Sequence, residues 1–177
     1  MNLELMAMRW LWIDKGCYYI LRERSPRYCM GQPDVLGVTR GRYLIEIEVK
    51  RSASDFAADF RKTHRANREM NITKMPRQFY YLMPKELAEK LRDRIPAWAG
   101  LMQSDKDSYS LAVVKVAPVN EQAQKLSIGE CVKMARLMTS HMMGVVQANN
   151  TLFGNFLHNG AFSHVDWVPH KVGTYEI

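Results

Sequence analysis

From Tyr43 to Lys50 the chain reads YLIEIEVK, with Ile45, Ile47 and Val49 at alternate positions and Glu46, Glu48 and Lys50 between them. A two-residue period belongs to a strand, so one face packs and the other carries charge. Upstream, Pro33-Asp34 opens a short apolar segment, Val35 to Val38, and Thr39-Arg40-Gly41-Arg42 reads as the turn of a hairpin between the two segments. The register of that hairpin decides where Asp34 lies. A two-residue loop, Arg40 and Gly41, sets Asp34 opposite Ile47 and turns it away from the charged face. A three-residue loop, with Gly41 in the left-handed position, sets it opposite Glu48. The three-residue loop, or a bulge of equal effect, is the expectation.

The flanking pattern extends this hairpin into a domain. Asn2 caps a helix to about Lys15 whose stripe is Leu3, Met6, either Met8 or Trp10, and Ile13, with Gly16 as its stop. Cys17 to Arg24 is a strand ending at Ser25-Pro26, and Tyr28 to Gln32 a loop into Asp34. After Lys50, Ser52 or Ser54 caps a helix through about Arg68, with Phe56, Phe60 and Thr63 at helical spacing. Gln78 to Met83 is a strand of aromatic content. Pro84 begins a helix in its first turn, with Glu86 near its positive end. Trp98 to Met102 and Tyr109 to Val116 are further strands, and a long Met-rich helix runs from Ser127 to about Val146. The predicted order, αβββαβ with a C-terminal extension, is an α/β fold: residues 1–118 as core, and 119–177 packed on the same domain.

Composition changes this picture little. The 177 residues suit one domain, and 25 Lys and Arg against 18 Asp and Glu give a net charge of +7, a bias toward polyanions. Cys17, Cys29 and Cys131 are odd in number and form no CxxC pair, which signals neither a disulfide framework nor a zinc knuckle. No stretch approaches the roughly 20 apolar residues of a membrane span, and the N-terminus has no signal-peptide pattern. A soluble cytoplasmic protein with no organic cofactor and no membrane partner is expected. His158, His164 and His170 recur every six residues, a spacing that fits neither a helix face nor common zinc-ligand pairs. Trp167 and Tyr175 read as aromatics that tuck the tail onto the core.

Taken alone, EIEVK reads as the solvated face of an edge strand. Pro33-Asp34, the turn, Glu48-Val49-Lys50 and the helix start directly after it together resemble the PD-(D/E)XK motif of the restriction-endonuclease-like nuclease superfamily. The continuation from Arg51 to Phe56 is similar to that of small bacterial and phage members. The resemblance covers roughly residues 1–118, and most strongly 32 to about 68.

The resemblance implies a mixed central sheet flanked by helices and a Mg²⁺- or Mn²⁺-dependent hydrolysis of DNA phosphodiesters by endonuclease action, in a bacterial or phage-infected cytoplasm. Asp34 and Glu48 would be metal ligands and catalytic acids, with the Val49 carbonyl as a further ligand. Lys50 would orient or help deprotonate the attacking water. Glu4 resembles the additional acid that many members place on the first helix, and Glu46 is the competing third carboxylate on the same strand face. Gln78 matches a polar position near the metal in some relatives. His64, Arg65 and Arg68 on the following helix, with Lys74 and Arg77, form a positive strip for a DNA backbone. Many relatives dimerise, and the C-terminal segment is the expected contact. The competing expectation is a catalytically silent protein of the same fold that serves as a nucleic-acid-binding module.

Overall fold

The computed structural model describes residues 2–22, 33–59, 75–105 and 110–158. The first helix, α1 (Leu3–Ile13), starts where expected, because the Asn2 side chain accepts the Leu5 N–H at 3.0 Å. It ends two residues early, at Ile13, and the chain reverses through Gly16 at φ +59°. Its buried stripe is Leu3, Met6, Ala7, Trp10 and Leu11. Ile13, expected in that stripe, is exposed, because position 13 falls about a quarter turn from the stripe's centre.

Among the described residues six strands follow: β1 (Tyr19–Arg22), β2 (Val35–Val38), β3 (Leu44–Val49), β4 (Gln78–Pro84), β5 (Gly100–Ser104) and β6 (Leu111–Lys115). They form one sheet in sequential order, with β3, β4 and β5 mutually parallel and the remaining pairs antiparallel. Between them lie α2 (Ala53–Asp59), α3 (Lys85–Leu91) and a short 3-10 turn, Arg92–Arg94. Ser52 rather than Ser54 caps α2: its Oγ accepts the Asp55 N–H at 3.1 Å, while the Asp55 carboxylate accepts the Arg51 N–H at 3.3 Å. Pro84 is the last strand residue and the N-cap of α3, not part of its first turn. A further helix, α4 (Ile128–His158), begins at a Ser127–Glu130 box and is longer than the expected span.

The β2–β3 turn has three residues, as the register required. Thr39 and Tyr43 close it, since the Thr39 N–H donates to the Tyr43 carbonyl at 2.9 Å. The left-handed residue, however, is Arg42 at φ +65°, not Gly41. A three-residue hairpin loop puts the αL conformation at its third position, and Gly41 is its second. Thr39 Oγ1 accepts the Tyr43 N–H at 3.1 Å and Arg42's carbonyl accepts the Leu126 N–H at 2.9 Å, bonds that hold Arg42 in place.

Hydrophobic burial divides by face. On one face α1 packs over Ile20, Val35, Ile45, Ile47, Val49, Tyr80, Leu82 and Met102. Among the described residues, the other face carries two separate clusters. Phe56 of α2, Ala88 and Leu91 of α3 cover Phe79, Tyr81, Met83 and Leu101. Leu126, Cys131 and Met134 cover Leu21, Leu36, Val38 and Leu44. Compact packing therefore runs on past residue 118: one unit is Met1–Thr139, and Ser140–Ile177 is a second, which contains the later part of α4. The expected continuation of α2 to Arg68 lies outside the described residues, as do His164, Trp167, His170 and Tyr175. No helix of the described residues is long and apolar enough to cross a membrane.

Candidate functional site

The seam between the two clusters on the second face is β3, and there the charged residues lie. Both faces of β3 are buried, because the strand is internal to the sheet and is covered from both sides. Glu46, Glu48 and Lys50 are therefore buried polar groups, not a solvated edge. Enclosing three ionisable groups costs free energy unless they pair, and the pairing is visible. Lys50 is 2% exposed, and its Nζ donates to Glu48 Oε2 and to Asp59 Oδ1, each at 3.2 Å.

Asp34 joins from β2. Val35 pairs with Ile47, which places Asp34 across from Glu48. Its Oδ2 accepts the Val49 N–H at 2.8 Å. The preceding residue explains why a side chain takes this bond. Continued one step, the ladder would pair Val49 with Pro33, and proline has no N–H to give the Val49 carbonyl. The ladder stops, the Asp34 carboxylate replaces it on the amide, and the carbonyl side of Val49 loses its ladder donor.

Asp59 was not among the residues singled out by sequence. It is fully buried on α2, and its second oxygen, Oδ2, accepts the Tyr81 hydroxyl at 2.7 Å. The signal was present in the spacing: Asp59 lies three residues after Phe56, on the same helix face, and these two are the buried residues of α2.

The electrostatics follow from this crowding. Burial first, and then the charge on Glu46, push the Glu48 carboxyl up; Lys50 opposes the shift, Asp34 and Asp59 add to it, and the net effect of all five sets it at about 8. Burial works against the Lys50 ammonium, yet Glu48 and Asp59 hold its pKa above the ordinary lysine value. The folded chain thus keeps a proton on Glu48 between pH 4.5 and about 8 that the unfolded chain has released. The stability this contributes is full below pH 4.5 and is lost as pH rises through about 8. In EDTA, the thermal midpoint should fall between about pH 6 and about pH 8.5, and fall less in Glu48→Gln. Equal falls in the two proteins would show that Glu48 does not carry the effect.

The remaining expected residues divide. Glu46 lies on the same face as Glu48 and acts on it electrostatically. Glu4 is held by Arg51, whose Nη2 donates to its two oxygens at 2.7 and 2.9 Å. Burial opposes the Glu4 charge, but its own main-chain N–H and Arg51 hold its pKa below the usual value. Gln78 does not join the cluster. It pairs with Ile45 on the α1 face, and its Nε2 donates to the Ala117 carbonyl at 3.1 Å. Arg77 lies at the turn end of β3, six residues and about 20 Å along the strand from Lys50. There its guanidinium stacks on Tyr43 at 4.2 Å and meets Glu121 at 3.6 Å. Both departures have one cause: β4 runs parallel to β3, so its first residues meet the start of β3 rather than its end. His64, Arg65, Arg68 and Lys74 lie outside the described residues.

Among the described residues, no three His, Cys, Asp or Glu side chains stand together as a ready metal centre. The donors at the end of β3 are two carboxylates, Asp34 and Glu48, and the Val49 carbonyl. That set of hard oxygens suits a Mg²⁺ ion, which keeps several waters and takes only one or two carboxylates.

Fold and cluster together define a mixed α/β protein: a six-stranded mixed sheet with flanking helices and a buried carboxylate–ammonium cluster at the end of an internal strand. No protein-family model and no curated protein matches the chain. Among solved structures, a protein of unknown function from Silicibacter pomeroyi is similar over 86% of this chain and 92% of its own, with 23% identity and a TM-score of 0.58, a likeness of fold.

Proposed function

We propose that this protein is a metal-dependent nuclease of restriction-endonuclease-like fold that hydrolyses DNA phosphodiester bonds, acting as an endonuclease. The observation that carries the reading is the meeting of Asp34, Glu48 and Lys50 at the end of β3. Asp34 lies across from Glu48 and grips the Val49 amide, while Lys50 is fixed against Glu48. The element order α1-β1-β2-β3-α2-β4 supports it, since it is the order expected from the resemblance.

Asp34, Glu48 and the Val49 carbonyl would hold a Mg²⁺ or Mn²⁺ ion, which supplies Lewis acidity to the phosphate. Lys50 stabilises negative charge growing on the phosphate and orients the attacking water. Asp34 has a second part, since its bond to the Val49 N–H fixes the main chain at the strand end. The net charge of +7 favours a polyanionic substrate and raises its rate of encounter.

The test incubates purified protein with supercoiled plasmid, branched DNA and single-stranded DNA in Mg²⁺, Mn²⁺ or EDTA. Cleavage of at least one substrate in metal and of none in EDTA is expected. Binding without cleavage of any substrate would replace the enzyme with the silent nucleic-acid-binding module. Neither binding nor cleavage would end both readings.

A further inference from the structure

Beyond the residues of the motif, the interior of the second sheet face contains a buried hydrogen-bonded line. The Tyr81 hydroxyl donates to Asp59 Oδ2 at 2.7 Å, Asp59 Oδ1 accepts from Lys50 Nζ at 3.2 Å, and the same Nζ donates to Glu48 Oε2 at 3.2 Å. Every member is buried, and Asp59 and Tyr81 are fully so. We infer that Asp59 and Tyr81 are positioning residues that aim the Lys50 ammonium; the inference rests on the nuclease reading above.

A lysine has four rotatable side-chain bonds and a compact charge that fixes no direction of its own. With Glu48 as its only anchor the ammonium would follow that carboxylate. Asp59 supplies a second anchor from a different element, α2, and two fixed acceptors limit where Nζ can lie. Tyr81 then limits Asp59. Its ring is packed edge-on against Phe56 at 5.1 Å and Phe79 at 4.9 Å, so the hydroxyl direction is set by core packing. The line thus transmits the rigidity of the sheet to a flexible side chain, as groups behind an active site do when they hold reacting groups to within a fraction of an ångström. A buried Asp that merely satisfies a core tyrosine would need no lysine. A lysine that merely neutralises Glu48 would need no Asp.

Asp59→Asn and Tyr81→Phe keep volume and separate the roles. Asp59→Asn should lower kcat about 10²-fold, the upper end of what removing a supporting group behind an active site costs, and Tyr81→Phe, one bond further from Lys50, about 3- to 10-fold, with KM and DNA affinity changed less than about twofold. Because Tyr81 acts through Asp59, Tyr81→Phe should lower kcat no further in the Asp59→Asn background. In crystal structures of both variants, Lys50 Nζ should leave its present place. A folded variant with wild-type kcat, or additive losses in the double variant, would overturn the inference. If Asp59→Asn fails to fold, Tyr81→Phe decides by the same measures. If the unaltered protein cleaves nothing in metal, the nuclease reading fails on its own account. The crystal structures then judge the positioning alone, and an unmoved Lys50 would overturn it.

Discussion

Asp34→Asn should lower metal-dependent cleavage by about 10³-fold, or ~4 kcal/mol of transition-state stabilisation, while leaving the thermal midpoint unchanged or raised. The substitution keeps a carbonyl oxygen that can still accept the Val49 N–H, now bonded at 2.8 Å. It removes only the charge, and with it one of the carboxylates that raise the Glu48 pKa. Asp34→Ala should lose the same activity and also destabilise by about 1–3 kcal/mol, because the Val49 amide is left without its acceptor. Measuring cleavage and melting on the two variants side by side separates a chemical role from a structural one. An Asp34→Asn protein that cleaves at the wild-type rate would leave Asp34 as a main-chain clamp and remove it from the chemistry.

Lys50→Met should be the most destabilising single change in the cluster. The side chain is 2% exposed and lies between two buried carboxyl groups. Removing one partner of a buried pair costs about 3–5 kcal/mol, because it leaves buried charge uncompensated. In a chain of this size each kcal/mol shifts the midpoint by about 2–4 °C, so a fall on the order of 10 °C at about pH 8 is expected. The fall should shrink at about pH 5.5, where Glu48 takes up a proton and needs the ammonium less. A midpoint equal to wild type at the higher pH would show that the ammonium is not enclosed between Glu48 and Asp59.

The hairpin was readable from the chain because its parts are local. Asp34 and Val49 are 15 residues apart, the span between them includes the turn that sets the register, and the pairing of Val35 with Ile47 follows once that turn has three residues. What could not be read was the environment of its charged face. Alternating Glu and Lys have the same spacing on a solvated edge as in a closed interior. The groups that close this one, Phe56, Phe79 and Tyr81, come from other elements. The spacing puts Asp59 on the face of Phe56, but a carboxylate on a helix with many polar positions reads as solvated until a tyrosine and a lysine are brought to it. The Gly41 assignment failed on turn chemistry, since a glycine in the loop drew the left-handed position to itself although loop geometry puts that position at Arg42. In α1 the run of apolar residues from Trp10 to Ile13 blurred the helical period, and only packing against the sheet selected Trp10 and Leu11.

Strand neighbours in the sheet are also neighbours along the chain, from β1 to β6. On the ribosome the β2–β3 hairpin is therefore complete well before Tyr81, whose hydroxyl holds the Asp59 partner of Lys50, emerges about thirty positions later. At roughly 5–20 residues per second, the nascent acids stay hydrated for a few seconds. Their desolvation cost falls due only when β4 docks, at the step that also delivers the aromatic wall to offset it.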